Sequence, residues 1–215
     1  MPSIIIHMAV AKKVAKSLDF DSKDFTIGSI APDMSKIIGN ERSYSHFCDE
    51  KYSPPNIDAF LYKYKDYLYK PFVLGYFVHL YTDYLFETYF QQKFLSSDRN
   101  LITKIDGSIF KCNDGIFKQY LYNDYTDLNR KIINKYKIDC SVFDETYDSN
   151  DATIEEISID KVDLLLKTSK EIIDKSNEKK NYLIDIKDIS SFIDFSTMII
   201  TQKIKDMNIN IIKAQ

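Results

Sequence analysis

Apolar residues at Ile6, Val10, Val14 and Leu18 recur once per helical turn and predict an amphipathic helix over residues 4–18. Asp21 is placed to cap a short helix through Ile30. The Ala31-Pro32-Asp33 step then disfavours helix at the residue before the proline. Residues 34–55 lack periodicity and are punctuated by Gly39 and Pro54-Pro55, so an irregular segment is expected there. Asn56 suits the N-cap of a helix from Ile57 to Tyr69, and Pro71 suits the first turn of a long helix over 71–94. Residues 96–114 are polar and carry no helical period. Further helices are expected over 115–136, from a Ser158 cap to Asp174, and over 189–207. An acidic loop (144–153) and a polar connection (176–181) separate them. The pattern predicts an all-α chain of six or seven helices with no alternating strand run.

Composition narrows the class. With 44% hydrophobic and 14% aromatic residues the chain has enough apolar surface to fold, which excludes disorder. Only five glycines and five prolines suit long helices with few tight turns. A length of 215 residues fits a single domain spanning 1–215. The net charge of −3 gives no strong nucleic-acid signal. Cys48, Cys112 and Cys140 have no metal-type spacing and read as reduced thiols. No apolar run reaches the length of about 18 residues expected of a transmembrane segment, and the opening residues do not follow the order of a signal peptide. A cytoplasmic location is the simplest expectation.

One segment sets the chemical question. GYFVHLYTDYLFETYF, residues 75–90, is the most aromatic part of the chain, yet His79 and Asp83 stand inside it on one helical face. Burying both costs free energy unless something pairs with them. A buried hydrogen bond between them is one answer and a shared cation is another. The chain has three histidines, His7, His46 and His79, and Asp33 lies between the first two. These are zinc-ligand types spread over four segments. Each also has a plainer reading: His7 as a helix-start residue, His46 as a loop residue, Asp33 as a turn former or N-cap.

In order, MPSIIIHMAVAKKVA, IGSIAPD, SHF and FVLGYFVHLYTDYLF resemble the zinc-dependent phospholipase C family, which shares an all-helical fold with fungal single-strand nucleases. The similarity is strongest over about the first 95 residues, and YNDYTDLNRKIINKY resembles a later family segment. The resemblance implies a metal site between helices. Asp33, His46, His79 and Asp83 would form one complete site, and His7 would join Asp83 at a second. In secreted members an N-terminal Trp amine completes that second site, whereas this chain begins MPS and has no Trp. Secreted members also have a third site of two later histidines and a glutamate. This chain has no histidine after His79, which leaves Glu87, Asp124 and Asp127 as the substitutes to consider.

The expected cofactor is therefore zinc, one or two ions per chain, with another divalent metal as the alternative. The expected activity is hydrolysis of a small-molecule or lipid phosphoester by metal-activated water. Asp33 is the candidate for orienting or deprotonating that water. The competing reading is a catalytically reduced metal-binding or sensing module of the same fold. Tyr44, Tyr76, Tyr81 and Tyr84 offer aromatic faces for a headgroup or a base, although core packing is the commoner role of such residues. Cys48 near His46 is more simply a free, partly buried thiol than a nucleophile.

Overall fold

The computed structural model describes residues 1–50, 52–147 and 154–209. Among them are nine α-helices: α1 Ile4–Ser17, α2 Lys23–Gly28, α3 Ser35–Ile38, α4 Arg42–His46, α5 Ile57–Tyr64, α6 Pro71–Leu85, α7 Asp114–Tyr136, α8 Val162–Asp174 and α9 Ile186–Asp206. The all-α expectation holds, and the count rises from seven to nine because the segment expected to be irregular contains α3 and α4. Both are under two turns long, too short to show a 3.6-residue period. A two-stranded antiparallel hairpin, β1 Leu101–Thr103 with β2 Ile109–Lys111, corrects the expectation of no strands. Strands of three residues give almost no alternation to read.

Helix ends follow local chemistry. Ser3 caps α1 by accepting from Ile6 N, Asn56 caps α5, Asn113 caps α7 and Asp185 caps α9. The cap of α2 is Ser22 rather than Asp21, one residue later than expected. Ser158 opens a short 3₁₀ turn, Ile159–Lys161, and makes no side-chain cap for α8. The helix expected to run over 71–94 stops at Leu85, continues as one π-helical turn, Phe86–Phe90, and ends in a 3₁₀ turn, Gln91–Lys93. Of the predicted acidic loop, residues 148–153 lie outside the described residues.

The core centres on α6, whose residues from Phe72 to Leu80 are all buried. Phe60 of α5 stacks on Tyr76 with ring centroids 5.6 Å apart, and Phe86 and Phe90 pack against Phe192 of α9. Helices α2 and α6 cross at backbone contact. A Cβ on Gly28 would lie 2.1 Å from the Phe72 carbonyl oxygen, and one on Gly75 would lie 2.2 Å from the Phe25 carbonyl oxygen. Glycine at both positions removes the side chains that would hold the helices apart. This crossing brings the Ser29 carbonyl, just past α2, to His79 on α6. Among the described residues no helix is long and apolar enough to cross a membrane.

Candidate metal centre

Four elements deliver the polar cluster. His7 comes from α1, Asp33 from the 3₁₀ turn Ala31–Met34, His46 from the end of α4, and His79 and Asp83 from successive turns of α6. All five are buried. His7 Nε2 lies 3.3 Å from Asp83 Oδ1. His46 Nε2 lies 3.5 Å from Asp83 Oδ2, 3.7 Å from Asp33 Oδ1 and 3.3 Å from His79 Nε2. His79 Nε2 is 4.0 Å from Asp83 Oδ2. Donor atoms on a tetrahedral ion with bonds of about 2 Å stand roughly 3.3 Å apart, close to these spacings.

The tautomers follow from the outer partners. His79 Nδ1 lies 2.8 Å from the Ser29 carbonyl oxygen, which only accepts, so Nδ1 carries the proton. The Ser45 hydroxyl donates to the Pro32 carbonyl at 2.9 Å and lies 2.9 Å from His46 Nδ1. Its one proton is thus used, so His46 Nδ1 donates to Ser45 Oγ. Both Nε2 atoms are left with bare lone pairs, 3.3 Å apart, beside two carboxylates. Lys36 and Arg42 meet the two carboxylates from outside, but the two Nε2 lone pairs face each other in a buried place and repel unless a cation lies between them. A further mismatch is beside them: both ring nitrogens of His7 and Asp83 Oδ1 are buried without a hydrogen-bond partner. The donors thus fit a divalent metal.

The protonation states agree. Burial, with the His7 ring stacked at 3.7 Å, drives the His79 imidazole well below its usual range, and burial also lowers His46. Burial alone would raise Asp83 and Asp33. The nearness of His7, with Nε2 3.3 Å from Oδ1, and the Arg42 guanidinium outweigh it at Asp83, and the Lys36 ammonium with His46 outweighs it at Asp33. Both carboxylates are held well below the usual range and remain ionised. Neutral imidazoles beside ionised carboxylates are the forms that ligate metal.

Two subsets each bring donor atoms within 4.8 Å of one another: Asp33, His46 and His79, and His7, His79 and Asp83. His79 belongs to both, and its single free Nε2 can serve only one at a time. Of the carboxylates considered as substitutes for a third site, Asp124 and Asp127 are engaged elsewhere. Asp124 accepts from the backbone N–H groups of Tyr182, Leu183 and Ile184 at 2.8, 2.7 and 3.0 Å, which ties α7 to the segment before α9. Asp127 pairs with Lys131 at 2.6 Å. Glu87 does lie near the cluster, but it accepts from Arg42 at 2.8 Å, and the same nitrogen donates to Asp83 Oδ2 at 3.0 Å. Asp33 also accepts from Lys36 Nζ at 2.6 Å. Lys36 and Arg42 were not singled out by sequence pattern. Lys36 stands three residues after Asp33, a spacing that could have flagged it, whereas Arg42 lies 41 and 45 residues from Asp83 and Glu87 with no local signal.

Cys48 lies beside Arg42, and burial pushes its thiol up to about 11, which leaves little thiolate at neutral pH. Tyr76 is core: it is fully buried and its hydroxyl donates to the Ser45 carbonyl, fixing the end of α4 that carries His46. Tyr81 and Tyr84 stack on each other and are half-buried, while Tyr44 is exposed.

The family model for zinc-dependent phospholipase C matches residues 6–145, well over half of the chain, and spans every residue of the cluster. The chain belongs to the zinc-dependent phospholipase C family. Compared with curated proteins and with solved structures, it gives no significant match. Membership of the zinc-dependent phospholipase C family, together with two His/Asp groups that could hold a metal, supports a metal-dependent, phospholipase C-like function.

Proposed function

We propose that the chain is a zinc-dependent hydrolase of phosphoesters, with a lipid phosphoester as the favoured substrate class. The observation that carries this reading is the pair of bare Nε2 lone pairs of His46 and His79, facing each other beside Asp33 and Asp83. Asp33, His46, His79 and Asp83 would hold the tighter ion, and His7 with Asp83 a weaker second. When bound, zinc supplies a polarised water that is nucleophilic near neutral pH. The chain's own residues do the rest. Ser29 and Ser45 fix the imidazole tautomers, and Gly28 with Gly75 allows the helix crossing that brings Ser29 into place. Asp33, ionised and held below the usual carboxylate range, is a weak proton acceptor. That favours ligation and water orientation over general-base action for Asp33.

Turnover of zinc-loaded protein against a phospholipid, a soluble phosphodiester and a phosphomonoester tests the reading. Hydrolysis of the lipid, lost on chelation and restored by zinc, is expected. Stoichiometric zinc with no turnover on any of the three would instead favour a non-catalytic metal-binding module.

A further inference from the structure

We propose that Arg42 and Lys36 form a two-pronged cationic clamp for a single phosphate group at the metal centre. The clamp takes its location from the metal-site reading above, and it is a separate claim about two side chains that no family match assigns.

A cleft of about 670 Å³ opens beside the cluster, and Lys36, Arg42 and Glu87 line it. Both cations touch the polar cluster on one side and reach the cleft on the other. Lys36 bonds Asp33 and is 40% exposed, whereas Arg42 bonds Asp83 and Glu87 and is 20% exposed. Arg42 comes from the same short helix as His46, and Lys36 follows Asp33 by three residues. Each cation is thus built onto the element that carries a candidate metal donor.

Their donors are not used up. A guanidinium has five N–H donors. In Arg42 one nitrogen serves Asp83 and Glu87, another meets only the weakly accepting Cys48 sulfur at 3.3 Å, and the buried Nε has no acceptor. A phosphate oxygen is a far stronger acceptor than that sulfur for the nitrogen now held only by Cys48. One of the three donors of Lys36 goes to Asp33.

The other charges in the cleft explain why one phosphate is the fitting ligand. Arg99 and Lys118 also line it, but both are paired to Asp114, at 3.1 and 2.7 Å. Exposed Glu41, Asp49 and Glu50 line the same cleft. These three acids disfavour a polyanion laid along the cleft, and the wall where Lys36 and Arg42 face Asp33, Asp83 and Glu87 becomes net positive only once a divalent cation is bound. A divalent cation on Asp83 would draw that carboxylate's charge from Arg42 and leave the guanidinium with Glu87 alone. Metal loading and phosphate affinity should then rise together.

Calorimetry of inorganic phosphate on zinc-loaded full-length protein, freed of excess ion, tests the clamp with no turnover required. Arg42→Met and Lys36→Met are each expected to weaken phosphate binding about tenfold or more, with zinc per chain by elemental analysis unchanged. Arg42→Lys, which keeps the charge but loses the fork, should recover part of the loss. Wild-type phosphate affinity in both methionine variants would overturn the proposal. So would a loss of phosphate binding that only follows loss of zinc. A protein that hydrolyses no phosphoester yet shows these losses would keep the clamp and sink the hydrolase reading, whereas active enzyme with unchanged phosphate affinity in the variants would do the reverse.

Discussion

Asp83 on α6 and Asp124 on α7 are both completely buried aspartates in helices, yet they sit in opposite kinds of surroundings. Asp124 receives three backbone N–H groups, so its charge is spread into hydrogen bonds that join two parts of the fold. Asp83 faces three imidazoles and one guanidinium, and its Oδ1 has no hydrogen-bond partner. The N-terminal region thus gathers acceptors that do not satisfy one another, while the later region satisfies its buried acid internally. Burial of a carboxylate does not by itself mark a functional site. What marks it is a shortage of donors among well-placed acceptors.

The sharpest way to break this contrast is to remove a shared ligand. His79→Ala should abolish the tighter zinc and with it the metal's contribution to stability, about 4 kcal/mol at a thousandfold excess of free metal over Kd. Asp83→Asn should act in the same direction. Elemental analysis with melting in zinc and in chelator checks both, and full occupancy with an unchanged melting point would remove these residues from the ligand set. Asp124→Ala should cost about 3 kcal/mol by stranding three N–H groups, equally with and without zinc. A loss that appears only in zinc-loaded protein would make Asp124 part of the metal centre after all.

Acidification separates the regions through proton linkage. In metal-free protein His46 and His79 have lowered folded values, so the unfolded chain takes up protons first as the pH falls. Stability should therefore drop as pH falls through about 6.5, by roughly 1 kcal/mol per histidine between pH 7.5 and 5.5. The contributions of Asp33 and Asp83, whose folded values are also lowered, persist above about 4 and are lost only in stronger acid. Denaturant titrations at the two pH values check the sign, and a rise in stability toward pH 5.5 would contradict it. The smallest expected effect is that of His7→Ala. It should remove a second, easily chelated ion and spare the first, at about 1 kcal/mol. Stepwise chelation followed by elemental analysis reads it directly, and three equally tight ions in the parent chain would contradict the two-site reading.

Much of this was legible in the sequence. Helical periodicity located α1, α5, α6, α7, α8 and α9 because each is long enough to repeat its apolar face. The three histidines with Asp33 and Asp83 stood out because such side chains are expensive inside apolar and aromatic segments, a cost set by residue type and visible without coordinates. Short elements were not legible: α3, α4 and the hairpin span too few residues to show a period. The π turn after Leu85 is likewise invisible, since its residues look helical one by one.

Local sequence thus determined which side chains needed a partner and which stretches were helical, because burial cost and periodicity are properties of neighbouring residues. Only the tertiary structure decided who the partners are. Asp124 and Glu87 were equal candidates as acids, yet one is claimed by backbone N–H groups from 58–60 residues away and the other by Arg42 from 45 residues away. The histidine tautomers depend on Ser29, 50 residues from His79, reaching it through a glycine-to-glycine helix crossing. Donor balance in a buried cluster is a sum over atoms from separate elements, and no spacing along the chain encodes that sum.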